Sequence, residues 1–279
     1  MTSPKIKKSK ISRRSFIIKF LLGGAALAFL DAYWFEKYII DWKEFDISEG
    51  ATDKIKTIQL SDLHINSIKT FHRDIAQRIN IEKPDVLFVT GDSVNFNKGI
   101  AALDTFLGMI DYDIPKLAIL GNVDYEGGTN LNLLRETYEK YNGRLLVNQN
   151  HKIKVKNRTL NIVGVDDYLC GDSDFIKASE GLDLSQDTVL LNHCPAYRDE
   201  VDVLIAKLGQ KIKLVLSGHT HGGQVTFFGI PFFTPDGSGN YVKGWYKNEH
   251  SQLYVSKGIG TRLLPLRFGA RAESIIFHI

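Results

Sequence analysis

Five short apolar runs that all stop at the same kind of residue constrain the fold of this chain more than any other feature. Lys56–Leu60 leads into Ser61, Asp62, Leu63 and His64, and 85–90 leads into Gly91 and Asp92. The run 116–120 leads into Gly121, Asn122, Val123 and Asp124, and 188–192 leads into His193. The last, 213–217, leads into Gly218, His219, Thr220, His221, Gly222, Gly223 and Gln224. Runs of four to six Leu, Ile and Val bounded by turn residues read as buried strands. Any one of them is an ordinary strand followed by a polar turn. Together they place carboxylates, imidazoles and an amide at five strand tips, with glycines that let the backbone pass close beneath. Oxygen and imidazole donors without thiolate suit two borderline-to-hard divalent ions such as manganese, iron or zinc, and do not suit a structural zinc of the cysteine kind.

The spaces between these runs are helical. Helices are expected at 74–81, 100–110, 131–141 and 199–208, with a first strand at 38–47 and a group of three short strands at 144–148, 151–156 and 159–165. Strands alternating with helices argue for an α/β layered fold. With 279 residues, 43% of them apolar, and no long polar linker, a single large domain is expected from 36 to 279.

The series Asp-x-His, Gly-Asp, Gly-Asn-x-Asp, a lone His after a strand, and Gly-His-x-His-Gly-Gly resembles the calcineurin-like metallophosphoesterase family over roughly 54–277. The resemblance implies an αββα sandwich, two facing mixed sheets flanked by helices, with a dimetal centre at the strand ends. Carried over residue by residue, it implies that Asp62, His64 and His221 hold one metal, that Asn122, His193 and His219 hold the second, and that Asp92 bridges them. Manganese is the first choice of ion. The implied reaction is hydrolysis of a phosphate ester or pyrophosphate bond, with Asp92, Asn122 and Asp124 as the catalytic set. The chemistry is consistent on its own terms: two cations about 3.5–4 Å apart share one hydroxide, lower its pKa and clamp the phosphate while it is attacked in line.

One position departs from the family pattern. The third block usually carries a His where this chain has Val123, and valine neither gives up a proton nor stabilises charge. A positioned acid contributes about 10² to 10⁴-fold, so its loss favours substrates with good leaving groups, such as a pyrophosphate or an aryl ester. Asp124 would ordinarily orient that His; here it acts directly, acts through Tyr125 or a water, or is a turn residue.

The N-terminus is a second motif. Arg13 and Arg14 inside Ser12-Arg-Arg-Ser-Phe16, followed by the apolar 20–30, resemble a twin-arginine export signal, with a basic-flanked membrane anchor as the alternative. Eleven apolar residues reach only about 16 Å as a helix against a hydrocarbon core of about 30 Å, so a span needs the helix extended over 16–35, with Tyr33, Trp34 and Phe35 at the interface. The expected partners are therefore the export machinery, the membrane and a phosphorylated small-molecule or lipid substrate, and the expected location is the extracytoplasmic face. Nucleic acid is not expected: seven of the 35 basic residues precede Asp31, leaving 28 against 32 acidic ones in the rest of the chain.

Aromatic and aliphatic residues crowd the stretch just past the last motif: Phe227, Phe228, Ile230, Phe232, Phe233, Tyr241, Trp245 and Tyr246, with Leu263, Leu264 and Leu266 further on. They read either as an apolar rim that accepts an acyl chain or touches a bilayer, or as a packed hairpin. Arg262, Arg267 and Arg271 are candidates for pairing with phosphate oxygens. Cys170 and Cys194 are expected as free thiols, and His72, His151, His250 and His278 as surface or structural residues. A lipid or nucleotide-sugar-lipid substrate is the leading expectation. The alternatives are a UDP-2,3-diacylglucosamine diphosphatase of lipid A synthesis, which needs the cytoplasmic leaflet, and a metal-binding envelope protein impaired at Val123.

Overall fold

The computed structural model describes residues 12–155 and 157–279, so the first four lysines of the basic N-terminus lie outside the described residues. In chain order the strands are β1 (Asp41–Asp46), β2 (Lys56–Leu60), β3 (Val86–Thr90), β4 (Lys116–Ile119), β5 (Gly143–Leu145), β6 (Gln149–Val155), β7 (Arg158–Gly164), β8 (Thr188–Leu191) and β9 (Ile212–Ser217). A short hairpin follows, β10 (Thr226–Phe227) with β11 (Ile230–Pro231), and then β12 (Gly244–Lys247), β13 (Ser251–Val255) and β14 (Glu273–His278). Two six-stranded mixed sheets result, ordered β1-β14-β2-β3-β4-β5 and β12-β13-β9-β8-β7-β6. β2 to β5 run parallel, as do β7, β8, β9 and β13.

Alternation along the strands decides the layers. Val86 and Phe88 of β3 join Ile275, Phe277, Ile162, Leu191, Leu214 and Tyr254 between the two sheets, while Leu87 and Val89 face outward onto helices Thr70–Glu82, Ile100–Leu107 and Leu131–Glu139. On the second sheet Val163, Leu190 and Val215 face outward onto helix Tyr197–Lys207. Four layers, helices on both outer faces and two sheets between, make the expected αββα sandwich. Each fully buried aliphatic or aromatic side chain in these layers contributes about 1.5–3 kcal/mol. A polar link crosses the middle: Gln59 on β2 donates to Thr90 Oγ1 (3.0 Å) and to Ser217 O (3.1 Å), tying the tips of β2, β3 and β9 together.

Several local expectations shift. The 144–148 run and the two after it do not form one group, because β5 closes the edge of the first sheet and β6 and β7 belong to the second. Helix Thr70–Glu82 starts four residues earlier than expected, since His72 Nδ1 accepts the N–H of Lys69 (3.1 Å) and fixes the first turn. The first strand is shorter at its start: the N-terminal helix Arg13–Leu30 continues through Asp31–Phe35 and Glu36–Tyr38 before β1 begins. None of Arg13–Leu30 is buried, whereas the 31–38 foot is docked. Arg267 N donates to Ala32 O (2.9 Å), and Glu36 accepts from Gly269 N (2.8 Å) and Ala270 N (3.0 Å). A boundary at residue 35 therefore falls inside this helix.

Candidate metal centre

Parallel pairing of β2, β3 and β4 in one sheet, and of β8 and β9 in the other, brings the ends of these strands to one edge of the sandwich. Asp62, His64, Asp92, Asn122, His193, His219 and His221 all meet there. The ligand atoms of Asp62, His64 and His221 lie within 4.8 Å of one another, as do those of Asp62, Asp92 and His193. Asp92 Oδ2 stands 3.5 Å from both His64 Nε2 and His193 Nε2, while Oδ1 is held by the N–H of Val123 at 2.9 Å. One carboxylate thus faces both halves of the cluster. Five of the seven residues, Asp62, His64, Asp92, His219 and His221, have φ between 46° and 71°. This left-handed conformation costs a non-glycine residue of order 1–3 kcal/mol where the surroundings enforce it, and it concentrates at functional sites.

Two glycines make the crowding possible. A Cβ on Gly218 would collide with Ser61 Oγ and Asp62 Oδ2, and a Cβ on Gly91, whose φ is 85°, would collide with the His193 ring. Elsewhere in the cluster the backbone carries the positioning: His219 N donates to both oxygens of Asp62, at 3.0 and 3.1 Å.

The arrangement of lone pairs fits bound cations. His193 donates from Nδ1 to Thr90 O (2.8 Å), which turns the Nε2 lone pair inward. His219 donates from Nε2 to Asp236 O, leaving Nδ1 3.1 Å from Asn122 Oδ1. His64 donates from Nδ1 to Asn95 Oδ1 (2.9 Å), an orientation fixed because Asn95 Nδ2 is occupied by His64 O; its Nε2 then faces His221 Nε2 at 3.1 Å. Asn122 Nδ2 is taken by Glu126, so its Oδ1 points at His193 Nε2 (3.3 Å). His219 Nδ1 and Asn122 Oδ1 are then two acceptors facing each other, which is unfavourable in a buried site unless a cation lies between them.

The electrostatics point the same way. Burial drives the pKa of His64 and His221 down, with His64 and Arg267 adding to the depression at His221, so both rings keep a free lone pair. Burial also opposes charge on His193, but the carboxylates of Asp92 and Asp62 outweigh it and raise its pKa well above the usual histidine range. Against the cost of its own burial, Asp92 is held well below the usual carboxylate range by His193, His64 and the Val123 N–H. The negative field of Asp92 and Asp62 that favours a proton on His193 also favours a cation in its place.

Asp124 does not join this set. It is fully buried and spends its two oxygens on Gly121 N (3.0 Å) and Val94 N (3.3 Å); burial and the charge of Asp92 push its pKa up to about 7. Of the expected roles, that of a turn residue is the one its contacts match, because each oxygen takes a loop N–H and the side chain does not line the cavity. Tyr125 is likewise engaged, donating to Asp166 Oδ1 at 2.6 Å.

A cavity of about 380 Å³ opens above the cluster, with Asp92, Asn122, Val123, His219 and His221 in its floor and Phe232, Phe233, Leu263 and Leu264 in its walls. Part of the expected rim belongs elsewhere. Trp245 and Tyr246 lie on β12 of the second sheet, where Trp245 packs between Phe45, Tyr254 and Phe277, and Tyr241, just before the strand, packs on Tyr246. The three arginines also separate. Arg262 lines the cavity and pairs with Glu126 (2.9 Å); Arg271 binds Ile39 O and lies over Phe35. Arg267 is completely buried, donates to the carbonyls of Lys257, Gly260 and Ala270, and brings Nη2 within 3.2 Å of His221 Nδ1.

Cys170 and Cys194 are free thiols, and Cys194, buried beside His193, donates to Asp167 Oδ2 (3.3 Å). Sequence reasoning missed three groups that orient the rings, Thr90, Asn95 and Asp236, and read Arg267 as a phosphate partner when it sits buried beside His221. Only Asn95, three residues past Asp92, had a positional signal.

The profile of the family described as calcineurin-like phosphoesterase matches residues 55–223. The Bacillus subtilis metallophosphoesterase YkuE is 29% identical over 97% of this chain and 98% of its own length. Phosphodiesterase YaeI of Escherichia coli is 30% identical over 96% of this chain and 99% of its own. Among solved structures, a dimetal phosphatase from Danio rerio superposes with a TM-score of 0.50 at 11% identity, covering 80% of this chain and 99% of that one, a likeness of fold.

Proposed function

The chain belongs to the calcineurin-like phosphoesterase family and is a metal-dependent phosphoester hydrolase, and from that premise we propose that it cleaves a phosphodiester or pyrophosphate bond in a lipid or nucleotide-sugar-lipid at the outer face of a membrane. The observation that carries the substrate reading is the cavity itself: a floor of metal-ligand side chains under walls of Phe232, Phe233, Leu263 and Leu264. A polar anionic group fits the floor and a hydrocarbon portion fits the walls.

In this reading Asp62, His64 and His221 would hold one divalent ion, Asn122, His193 and His219 would hold the other, and Asp92 would serve both. Manganese suits the thiolate-free donor set. Two such cations, when bound, acidify the attacking water and neutralise phosphate charge. The protein's own groups do the rest. Thr90, Asn95 and Asp236 hold the imidazoles so that no reorganisation is needed. Val123 turns a side chain without a proton to the cavity, so the leaving group departs without a donor there, which suits a pyrophosphate. Arg262, already on the cavity wall, supplies the cation nearest an incoming phosphate oxygen. Helix Arg13–Tyr38 supports a membrane location by its length and composition: it has 26 residues and contains an 18-residue stretch of mean hydropathy 1.7. The twin-arginine pair at its start supports export.

The test is hydrolysis of bis-p-nitrophenyl phosphate and p-nitrophenyl phosphate by the full chain in detergent with manganese, beside Asp92→Asn. The expected outcome is diester hydrolysis that falls by at least about 10³-fold in the variant. Protein with two metals bound and no activity on either compound would move the metal-binding envelope protein ahead.

A further inference from the structure

We propose that the mouth of this site is itself a membrane contact, so that the chain meets the bilayer twice, through its N-terminal helix and through the tip of the β10–β11 hairpin with the 263–264 loop. The inference rests on the membrane reading above and adds to it which surface meets the lipid.

The apolar residues at the mouth are unusually bare. Phe228 is 97% exposed and Leu263 89%, and Ile230, Phe232, Phe233 and Leu264 are exposed around them. Single exposed apolar side chains are common on soluble proteins, but a cluster around a site entrance marks a surface that meets something apolar. The cluster comes from two segments far apart in sequence, and Gln224 joins them. Its side chain donates to Leu264 O (2.9 Å) and accepts from Arg262 N (2.8 Å), while its backbone carbonyl accepts from Phe268 N (2.9 Å). The last residue of the Gly-His-Thr-His-Gly-Gly-Gln motif thus ties the rim to the metal cluster.

The occupant is indicated by what stands on the other side of the same loop. Residues 262–270 carry Leu263 and Leu264 on the cavity side and grip the foot of the apolar helix on the other. Lys37 Nζ donates to Pro265 O (2.9 Å), Arg267 N to Ala32 O (2.9 Å), and Glu36 takes Gly269 N and Ala270 N. Lys37 and Tyr38 also share a small cavity with His64, Gly260 and Thr261, so the helix foot lies at the metal end of the sandwich. Cations and aromatic rings surround that foot: Lys37 and Lys69 approach the Tyr38 ring at 4.9 and 5.4 Å, and Arg271 lies 4.7 Å over Phe35. Aromatic rings with basic side chains are the composition found at the headgroup level. A membrane entered by the helix is therefore close to the mouth, and an anionic phospholipid bilayer is the partner that matches both the bare apolar tip and the basic foot. A substrate with a hydrocarbon tail then passes from bilayer to cavity without crossing water.

The experiment uses the full chain reconstituted in phosphatidylethanolamine–phosphatidylglycerol vesicles, in a Cys170→Ser background, with a fluorophore on Phe228→Cys or on Glu249→Cys. Glu249 lies beside the start of β13, at the opposite end of the strands from the metal cluster. Nitroxide carried on the lipid acyl chains should quench the label at 228 several-fold more than the label at 249. Equal quenching, or none at 228 in protein that floats with the vesicles, overturns the rim and leaves the helix anchor standing; protein that does not float removes both.

A second arm separates these from the hydrolase reading. Phe228 and Ile230 lie outside the cavity wall, so Phe228→Ser with Ile230→Ser should leave bis-p-nitrophenyl phosphate turnover unchanged and lower turnover of a vesicle-borne phosphodiester by about tenfold. Equal turnover of the vesicle substrate by the variant sinks the proposal. Concentration-dependent dimers that this variant abolishes, with no quenching at 228, would assign the surface to a second copy of the chain instead.

Discussion

The metal cradle and the mouth above it are built on opposite principles, though Gln224 connects them. In the cradle the side chains are buried, the backbone is left-handed at five ligand positions, and glycines are required because there is no room for a Cβ. At the mouth the side chains are large, apolar and bare, and little packs against them. The cradle tolerates no change of shape, because each ligand is held by another group whose own position is fixed. The mouth is held by hydrogen bonds of the Gln224 side chain and backbone on its inner side and leaves its outer side to a partner. The difference separates a region tuned for geometry from one tuned for contact area.

Substitutions at the cradle should therefore give the largest effects. Gly218→Ala puts a methyl group into Asp62 and Ser61; Asp62 cannot move without releasing the N–H of His219, and Ser61 cannot move without giving up its hydrogen bonds to Asp62 and Thr90 O. Loss of metal from the Asp62 side and a fall of at least about 10³-fold in diester hydrolysis are expected, read by metal content and turnover together. Wild-type metal content and turnover in this variant would break the contrast between the regions.

Asn95→Ala removes a group that touches no metal and only aims His64. Metal affinity should fall by about 10–100-fold, measured by competition with a chelating dye, while the fold survives. Val123→His tests the place where cradle and mouth meet: hydrolysis of substrates with poor leaving groups should rise by about 10²-fold, with little change on aryl diesters.

The smallest effect is one of stability and pH. His72, 3% exposed beside the helix foot, has its pKa lowered to about 4 by burial and the nearby Lys69. Between pH 6.5 and 4 the unfolded chain takes up a proton that the folded chain refuses, so this contribution to stability is present at neutral pH and is lost as the pH falls. Comparing urea unfolding of metal-free protein at pH 7.5 and 4.5, the wild type should lose up to about 3 kcal/mol more than His72→Gln, which keeps an acceptor for the Lys69 N–H. Equal losses would place the acid sensitivity in the metal ligands alone.

The strands and most helices were legible because their residues obey local periodicity: β3 is apolar up to its last residue, Thr90, and β2 ends where its ligands begin. The gathering of seven candidate ligands was legible through the resemblance of five strand-tip blocks to a known family pattern, and the parallel pairing of neighbours, which puts their ends on the same edge, is its physical reason. Asp124 was not legible, because whether a carboxylate faces a cavity or caps its own loop depends on which N–H groups a folded neighbour leaves open. Trp245 and Tyr246 were read into the rim from their nearness in sequence to Phe232, although β12 turns them onto the second sheet. Arg267 was read as a candidate phosphate partner, but its guanidinium is fixed by three carbonyls that meet only after the 257–270 segment has closed.

By itself, then, the sequence determined the layered α/β class, the kinds of donor at each strand tip and the basic, apolar N-terminus, because each follows from residue type and short-range spacing. Only the tertiary structure decided which imidazole nitrogen faces inward, which arginine lines the cavity, which aromatic residues stay bare, and that the helix foot grips the loop at the mouth. Those outcomes depend on hydrogen bonds and packing between segments up to more than 200 residues apart, such as Glu36 with Gly269, and no local pattern in a chain encodes such pairings.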